Sequence, residues 1–156
     1  MIEITIPGRG TLSIEHLVTD VNGTLAIDGQ LIEGVARQIS ALRDRLQIHM
    51  LTANTHGKQA DIDRQLNLKA HIIQKGYEAE QKAEFVTSLG AETVIAFGQG
   101  ANDAAMLRTA GIGVAVMSIE GLAIETLNSA DLLMPDTSSA LALLEKPVRL
   151  IASLRK

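Results

Sequence analysis

The sequence predicts an α/β fold in which helices cover both faces of a central parallel sheet. Three observations support this prediction. Short apolar segments alternate with amphipathic segments of helical period from residue 17 onward, as strands and helices do in parallel α/β proteins. The apolar segments are rich in Ile, Val, Leu and Ala, which is typical of strands buried on both faces. The connections are long enough for right-handed crossover helices.

Composition agrees with one compact unit. The chain has 156 residues, of which 46% are hydrophobic and only 2% aromatic. This length suits a single core, which must be built from Ala, Ile, Leu and Val. The spacing of the segments leaves no room for a second domain, so we expect one domain over residues 1–156.

Charge and cysteine content exclude several classes of function. The net charge is −4, there is no basic cluster and there is no cysteine. These features argue against nucleic acid or an anionic membrane as a partner and against disulfide or thiolate chemistry. The amino terminus lacks the pattern of a signal peptide, and no apolar run has membrane-spanning length. We therefore expect a cytoplasmic protein.

Two hairpins are predicted near the amino terminus. Ile2, Ile4 and Ile6 alternate with polar residues, and the chain turns at 7–10 before a second strand over 12–14, which predicts an amino-terminal β-hairpin. Asp28-Gly29 lies between two short apolar runs and predicts a small flap.

The remaining elements follow in order. Strands are predicted over 17–20, 47–51, 70–73, 93–97, 112–117 and 131–134. Helices are predicted over 33–46, 56–66 (with Thr55 as its cap), 77–89 (closed by Gly90), through Leu107, over 122–127 and over 138–153 (interrupted at Pro147).

The stretch around which the chain is organised covers residues 16–25, His-Leu-Val-Thr-Asp-Val-Asn-Gly-Thr-Leu. It has two interpretations. Asn22-Gly23 between apolar residues is a strong hairpin signal. Alternatively, a buried strand delivers Asp20 to a loop at its carboxyl end, where open α/β sheets place their chemistry. This window alone does not choose between them, but the parallel α/β pattern of the whole chain favours the second.

Polar groups follow several of the predicted strands. Asp20 follows the first central strand, Thr52 the next, and the 98–103 loop a later one, while Lys82 lies on a nearby helix. In a parallel sheet these strand ends meet at one edge. Asp20 could attack a phosphoryl group, Thr52 and loop amides could hold phosphate oxygens, and Lys82 could neutralise charge. Asp20, the carbonyl of residue 22 and the 99–103 loop could hold Mg²⁺.

Four segments, in order, resemble those of the haloacid dehalogenase superfamily, especially the phosphorylation domain of P-type cation-transporting ATPases. They are Asp-Val-Asn-Gly-Thr-Leu (20–25), Met-Leu-Thr (50–52), Glu-Gln-Lys-Ala-Glu-Phe-Val (80–86) and Phe-Gly-Gln-Gly-Ala-Asn-Asp-Ala-Ala-Met-Leu (97–107). The resemblance covers about residues 15–145. It implies a single Rossmann-like, three-layer domain without a cap, acting on phosphate esters with Mg²⁺.

The resemblance also implies roles for particular residues. The implied catalytic residues are Asp20, Asn22, Thr52 and Lys82. The implied phosphate ligands are Asn22, Gly23, Thr52, Ala53, Asn54 and Lys82. The implied Mg²⁺ ligands are Asp20, Asn22, Gln99 and Asp103.

Two positions depart from the superfamily pattern. Asn22 stands where the phosphatases have an Asp that acts as general acid and base. An amide takes no proton from water near neutral pH, so hydrolysis of an aspartyl-phosphate should be slow. Gln99 stands where the family has a metal-binding Asp, and its neutral oxygen should bind Mg²⁺ more weakly.

Two functions remain open at this point. The first is a slow, Mg²⁺-dependent phosphohydrolase or phosphotransferase that forms an aspartyl-phosphate on Asp20. The second is a non-catalytic module that binds a phospho-ligand or a protein. Partners expected for the enzyme are a phosphorylated small molecule or macromolecule and, because the site is open, further copies of the chain. The sequence does not identify the substrate.

Overall fold

The computed structural model describes residues 1–54 and 57–156 and contains ten strands and seven α-helices in those ranges. The strands are β1 (Ile2–Ile6), β2 (Gly10–Ile14), β3 (His16–Asp20), β4 (Ala26–Ile27), β5 (Gln30–Leu31), β6 (Gln47–Thr52), β7 (His71–Ile72), β8 (Val94–Gly98), β9 (Ile112–Val116) and β10 (Leu132–Met134). The helices are α1 (Val35–Leu42), α2 (Gln59–Leu66), α3 (Glu78–Ser88), α4 (Ala104–Thr109), α5 (Ile124–Leu127), α6 (Thr137–Glu145) and α7 (Val148–Leu154).

Six strands form the central sheet in the order β10-β9-β8-β3-β6-β7. Every pairing in this sheet is parallel. β3 lies inside the sheet, with Asp20 opposite Leu51 of β6 and Thr19 opposite Phe97 of β8. The predicted α/β class, with its parallel sheet, is confirmed.

Alternate residues of the sheet strands enter two separate hydrophobic cores. In β3, Leu17 packs in one core with α1, α2 and α6, while Val18 packs in the other with residues of α3 and α4. β8 divides in the same way, with Phe97 on the first side and Ala96 on the second. Because strand side chains alternate between faces, both faces of the sheet are covered by helices, as predicted.

The amino-terminal hairpin closes one end of the first core. β1 and β2 pair antiparallel with Ile2 opposite Ile14, and the isoleucines of β1 are buried. β4 and β5 form the short second hairpin, with Ala26 opposite Leu31. Both predicted hairpins are therefore present.

Some boundaries differ from the prediction. α1 ends at Leu42 and not at 46, because residues 43–45 form a turn in which the Arg45 N–H donates to Leu42. The predicted break at Pro147 separates α6 from α7. Met117, the last residue of the strand predicted over 112–117, lies just beyond β9 and is 44% exposed. Thr55 and His56, the predicted cap and first residue of the second helix, lie outside the described residues.

Within residues 1–54 and 57–156, none of the helices has both the length and the apolar character needed to cross a membrane.

Candidate active site

The segment after β3 is a tight loop that presents Asp20 at the carboxyl edge of the sheet. The Val21 carbonyl accepts hydrogen bonds from the N–H groups of Thr24, Leu25 and Ala26 at 2.9–3.1 Å. β3 itself pairs in parallel with β6 and β8, so Asn22-Gly23 does not join two antiparallel neighbours. The hairpin interpretation of this stretch is therefore wrong, and the strand-to-loop interpretation holds.

Gly23 is needed in this loop for two reasons. Its φ of 84° lies in the left-handed region that glycine adopts without strain. In addition, a Cβ at this position would lie 2.5 Å from Gln99 Oε1 and 3.0 Å from Glu120 Oε2. The Asp20 loop therefore packs directly against the loop that follows β8 and the one that follows β9.

Lys82 joins the two carboxylates of the site. Its Nζ lies 2.8 Å from Asp20 Oδ1 and 2.6 Å from Asp103 Oδ1. All three side chains are almost fully buried, at 2% exposure for Lys82, 7% for Asp20 and 0% for Asp103. A buried charge of either sign is costly unless it is paired, and here one ammonium group pairs with both carboxylates.

Burial is the largest single influence on the pKa values of Asp20 and Lys82, but the net shift at Lys82 has the opposite sign to the effect of burial. Burial and the charge of Asp103 raise the pKa of Asp20 to about 7, although Lys82 opposes this shift. Burial acts to lower the pKa of Lys82, but the two carboxylates outweigh it and raise that pKa above its ordinary value. Lys82 therefore stays protonated at neutral pH, while Asp20 titrates close to neutrality.

Asp103 fixes the loop after β8. Its Oδ2 accepts the backbone N–H groups of Gln99 at 2.9 Å and Gly100 at 3.0 Å. Gly98 permits this close approach, since a Cβ there would lie 2.5 Å from the Cβ of Asp103. Both oxygens of Asp103 are thus engaged by protein donors.

Thr52 ends β6 beside the Asp20 loop. Its Oγ1 accepts a hydrogen bond from Asn22 Nδ2 at 3.3 Å and another from the Asn54 N–H at 3.0 Å. With both contacts accepted by the oxygen, the hydroxyl hydrogen remains available to donate to an anion. Asn54 is less available, because its side-chain oxygen also accepts the Gln59 N–H at the start of α2.

A cavity of about 200 Å³ opens over this group. Its lining consists of Asp20, Asn22, Ala53, Glu78, Lys82, Gly100 and Asn102. Four of the predicted site residues (Asp20, Asn22, Ala53 and Lys82) therefore face one space, and the buried Thr52 lies next to it, hydrogen-bonded to Asn22.

The predicted metal ligands differ in whether their oxygen atoms are directed toward the cavity. The Oδ2 of Asp20 has a long contact of 3.5 Å with the Thr24 hydroxyl, whereas Oδ1 is paired with Lys82. Gln99 turns its Nε2 to the Gly121 carbonyl at 2.9 Å and its Oε1 toward Gly23. In the part of the chain that the structure describes, no group of three or more His, Cys, Asp or Glu side chains is arranged to hold an ion.

Sequence reasoning missed Glu78, Gly100 and Asn102 as lining residues. Glu78 carried a usable signal, because it lies four residues before Lys82 on α3 and side chains at that spacing share a helix face. Asn102 lies in the same segment as Gln99 and Asp103, so the loop that was singled out contributes more residues than those predicted.

Comparison with curated proteins finds transport ATPases. The chain is 34% identical over 108 residues to a probable copper-exporting P-type ATPase of Archaeoglobus fulgidus. This alignment covers 68% of the chain but only 13% of the ATPase, so the chain spans about one eighth of that relative. The likeness concerns the segment that matches and not the whole transporter.

Solved structures with the same fold include small phosphatases. The cobalt-bound deoxy-D-mannose-octulosonate 8-phosphate phosphatase of Haemophilus influenzae superposes with a TM-score of 0.70 at 17% identity, covering 91% of this chain and 90% of that one. A 3-deoxy-D-manno-octulosonate 8-phosphate phosphatase of Moraxella catarrhalis, solved with magnesium, phosphate and the sugar acid, gives a TM-score of 0.66 at 19% identity. It covers 91% of this chain and 94% of its own.

The family assignment follows from a match along the chain itself. Residues 39–127, more than half of the sequence, match the haloacid dehalogenase-like hydrolase family. The matched range includes Thr52, Lys82 and the 98–103 loop, and the fold agrees with that of the phosphatases. The chain therefore belongs to the haloacid dehalogenase-like hydrolases.

Proposed function

We propose that this protein hydrolyses a phosphomonoester through an aspartyl-phosphate on Asp20. One observation carries the proposal: Asp20 lies at the carboxyl edge of β3, paired at 2.8 Å with the buried Lys82, in a cavity that would admit a phosphoryl group. A carboxylate nucleophile beside a fixed cation is suited to accepting a phosphoryl group, because the cation stabilises charge on the transferred oxygens.

Each residue has a definite task in this reaction. An oxygen of Asp20 attacks phosphorus, the bond from phosphorus to the ester oxygen breaks with its electron pair leaving on that oxygen, and the alkoxide takes up a proton from solvent water. Lys82, held by Asp103, keeps its ammonium at the phosphoryl oxygens. The Thr52 hydroxyl, oriented by its contacts with Asn22 and Asn54, donates a hydrogen bond to another oxygen, with the Gly23 and Ala53 loops beside it.

The site can hold Mg²⁺ if phosphate completes the coordination. Mg²⁺ is often bound by one or two carboxylates together with phosphate oxygens and water. The Oδ2 of Asp20, whose contact with the Thr24 hydroxyl is long, is the proposed carboxylate ligand, and the carbonyl of Asn22 is the proposed second ligand. Gln99 and Asp103 are the weaker candidates, because protein partners engage them. Bound Mg²⁺ would draw negative charge from the phosphoryl oxygens.

Weak metal binding and Asn22 both favour slow turnover. One available carboxylate gives less affinity for a divalent cation than two, and an amide at position 22 accepts no proton from water. The substrate class is a phosphorylated small molecule or macromolecule, and we propose that further copies of the chain cover the open site.

The test compares the wild-type chain with Asp20→Asn. We expect Mg²⁺-stimulated release of phosphate from a panel of phosphomonoesters, and a fall to background in Asp20→Asn, because a carboxamide does not act as the nucleophile. Asp44→Asn is the matched control, since Asp44 is exposed in the turn after α1. Equal activity in wild type and Asp20→Asn would overturn the proposal.

The second candidate is a module that binds a phospho-ligand without turnover. The orientation of Gln99, which is hydrogen-bonded to Gly121 and not directed into the cavity, favours it. Titration with Mg²⁺ and beryllium fluoride, followed by the melting temperature, separates the two candidates, since a ligand of the folded state raises that temperature. A rise that depends on Asp20 without any phosphate release would support the binding module.

A further inference from the structure

Hydrolysis needs a second proton acceptor after Asp20 has been phosphorylated. Water must attack the phosphoryl group and lose a proton, and Asn22, which stands where the phosphatases have their general base, does not accept one. The following inference rests on the proposed function and concerns this second step.

Only three of the lining residues that the structure describes carry an ionisable side chain: Asp20, Lys82 and Glu78. Asp20 carries the phosphoryl group at this stage. Lys82 is a protonated ammonium held by two carboxylates. By elimination, we propose that the Glu78 carboxylate is the general base that activates water for hydrolysis of the aspartyl-phosphate.

The position of Glu78 suits this task. It is the first residue of α3, one helical turn before Lys82, so both side chains point to the same cavity. Its Oε2 accepts the Gly76 N–H at 3.0 Å, which orients the carboxylate. Its Oε1 accepts no hydrogen bond from the described residues and is free to accept one from water.

The cavity that Glu78 lines has room for water. A volume of about 200 Å³ admits a phosphoryl group and a few waters, each of which occupies about 30 Å³ in the liquid. In the proposed step, one of these waters lies between the phosphoryl group and Glu78.

The step balances as follows. The water oxygen forms a bond to phosphorus as one water proton moves to Glu78. The bond between phosphorus and the Asp20 oxygen breaks, and its electron pair returns to the Asp20 carboxylate. Inorganic phosphate leaves, and protonated Glu78 releases its proton to solvent.

The test separates the two chemical steps in Glu78→Gln, using p-nitrophenyl phosphate with Mg²⁺ and rapid mixing. We expect a burst of about one p-nitrophenolate per site, because phosphorylation of Asp20 is retained. Steady-state turnover should fall about 10²-fold or more, the usual contribution of a general base. The phosphoenzyme should accumulate as a hydroxylamine-sensitive acyl phosphate.

Matched variants exclude a merely structural effect. Glu80→Gln makes the same change of charge in the first turn of α3, but Glu80 is exposed and outside the cavity lining, so turnover should stay within twofold of wild type. Asn22→Asp added to Glu78→Gln should restore turnover at least tenfold, because it supplies a carboxylate at the family position. Formate should partly rescue Glu78→Ala by replacing the proton acceptor.

The outcomes are distinct. Unchanged turnover in Glu78→Gln, loss of the burst together with turnover, or absence of rescue by formate would overturn the role of Glu78 while leaving phosphoryl transfer to Asp20 intact. A wild-type protein that gives a burst but no turnover would do the same. Absence of both burst and turnover in the wild type would overturn the proposed function as well.

Discussion

Two clusters of titratable side chains lie on one face of the sheet, and α3 covers both. At the carboxyl end, Asp20 and Asp103 pair with Lys82. Toward the other end, His16 Nδ1 and His49 Nε2 are 3.1 Å apart, and the rings of His71 and Phe85 lie beside His49. His16 and Asp20 share a face because they are four residues apart on β3.

The two clusters deal with the energetic cost of buried charge in different ways. The carboxyl-end cluster keeps charged groups inside the protein and pairs both carboxylates with the ammonium group of Lys82. The histidine cluster forms no ion pair among the described residues, and burial, followed by the influence of His16 and His71, lowers the pKa of His49 to about 4. The first cluster is therefore charged and suited to chemistry, while in the second cluster burial and the neighbouring rings favour the neutral form of His49.

Removing the ammonium group of Lys82, which both carboxylates share, should cause the largest loss of stability among the variants considered. Lys82→Met leaves the buried Asp20 and Asp103 carboxylates without a cation, and breaking a buried ion pair in this way costs about 3–5 kcal/mol. We expect a loss of that order in the free energy of unfolding at pH 7.5, measured by urea denaturation with a chelator present.

Two controls accompany this variant. Lys69→Met makes the same substitution at an exposed position and should change stability little. Adding Asp20→Asn to Lys82→Met should recover part of the loss, because one unpaired charge is removed. If Lys82→Met were as stable as wild type at pH 7.5, the description of the site as a cluster held together by ion pairs with Lys82 would be contradicted.

The sequence predicted the order of elements well and their ends less well. Period and alternation identify β1, β3, β8 and the helices, because these patterns reflect which side chains are buried. The end of α1 is decided by a turn around Arg43–Arg45, and no Gly or Pro marks it. The exposure of Met117 depends on where the loop after β9 leaves the sheet, which is a tertiary property.

Part of the candidate site was predictable because the apolar patterns identify the strands whose ends form it. Asp20 and Thr52 follow apolar strands, so the parallel sheet brings them together. The burial of Lys82 follows from the packing of α3 on the sheet, since a helix lysine taken alone is usually exposed. Glu78 was missed because a Glu in the first turn of a helix is already explained by the helix dipole.

The second prediction concerns the pH dependence that Asp20 imposes. The pKa of Asp20 is raised from 3.8 to about 7 in the folded state, so its contribution to stability is complete below pH 3.8 and is lost as pH rises through 7. Asp20→Asn lacks this loss. Without metal, the free energy of unfolding of Asp20→Asn relative to that of wild type should therefore rise between pH 4 and pH 8, by at most a few kcal/mol.

Urea denaturation at a series of pH values measures this difference. Asp44→Asn, at an exposed site, should follow the wild-type curve. A constant difference in the free energy of unfolding between Asp20→Asn and wild type across this range would show that Asp20 is ionised throughout. The pKa of Asp20 would then not be raised in the folded protein.

The smallest effect on stability is expected from titration of His49 in the histidine cluster. The pKa of His49 is lowered from 6.5 to about 4, so its contribution to stability is present above pH 6.5 and is lost as pH falls through 4. An NMR titration should find His49 neutral at pH 5. His16→Gln removes one cause of the shift and should move the His49 pKa upward toward 6.5, whereas a His49 that already titrates near 6.5 in the wild type would mean that solvent reaches this cluster. In that case water would hydrate the His49 imidazolium, and His49 would need no charged partner. The two clusters would then differ in their exposure to solvent and not in how they pair buried charge.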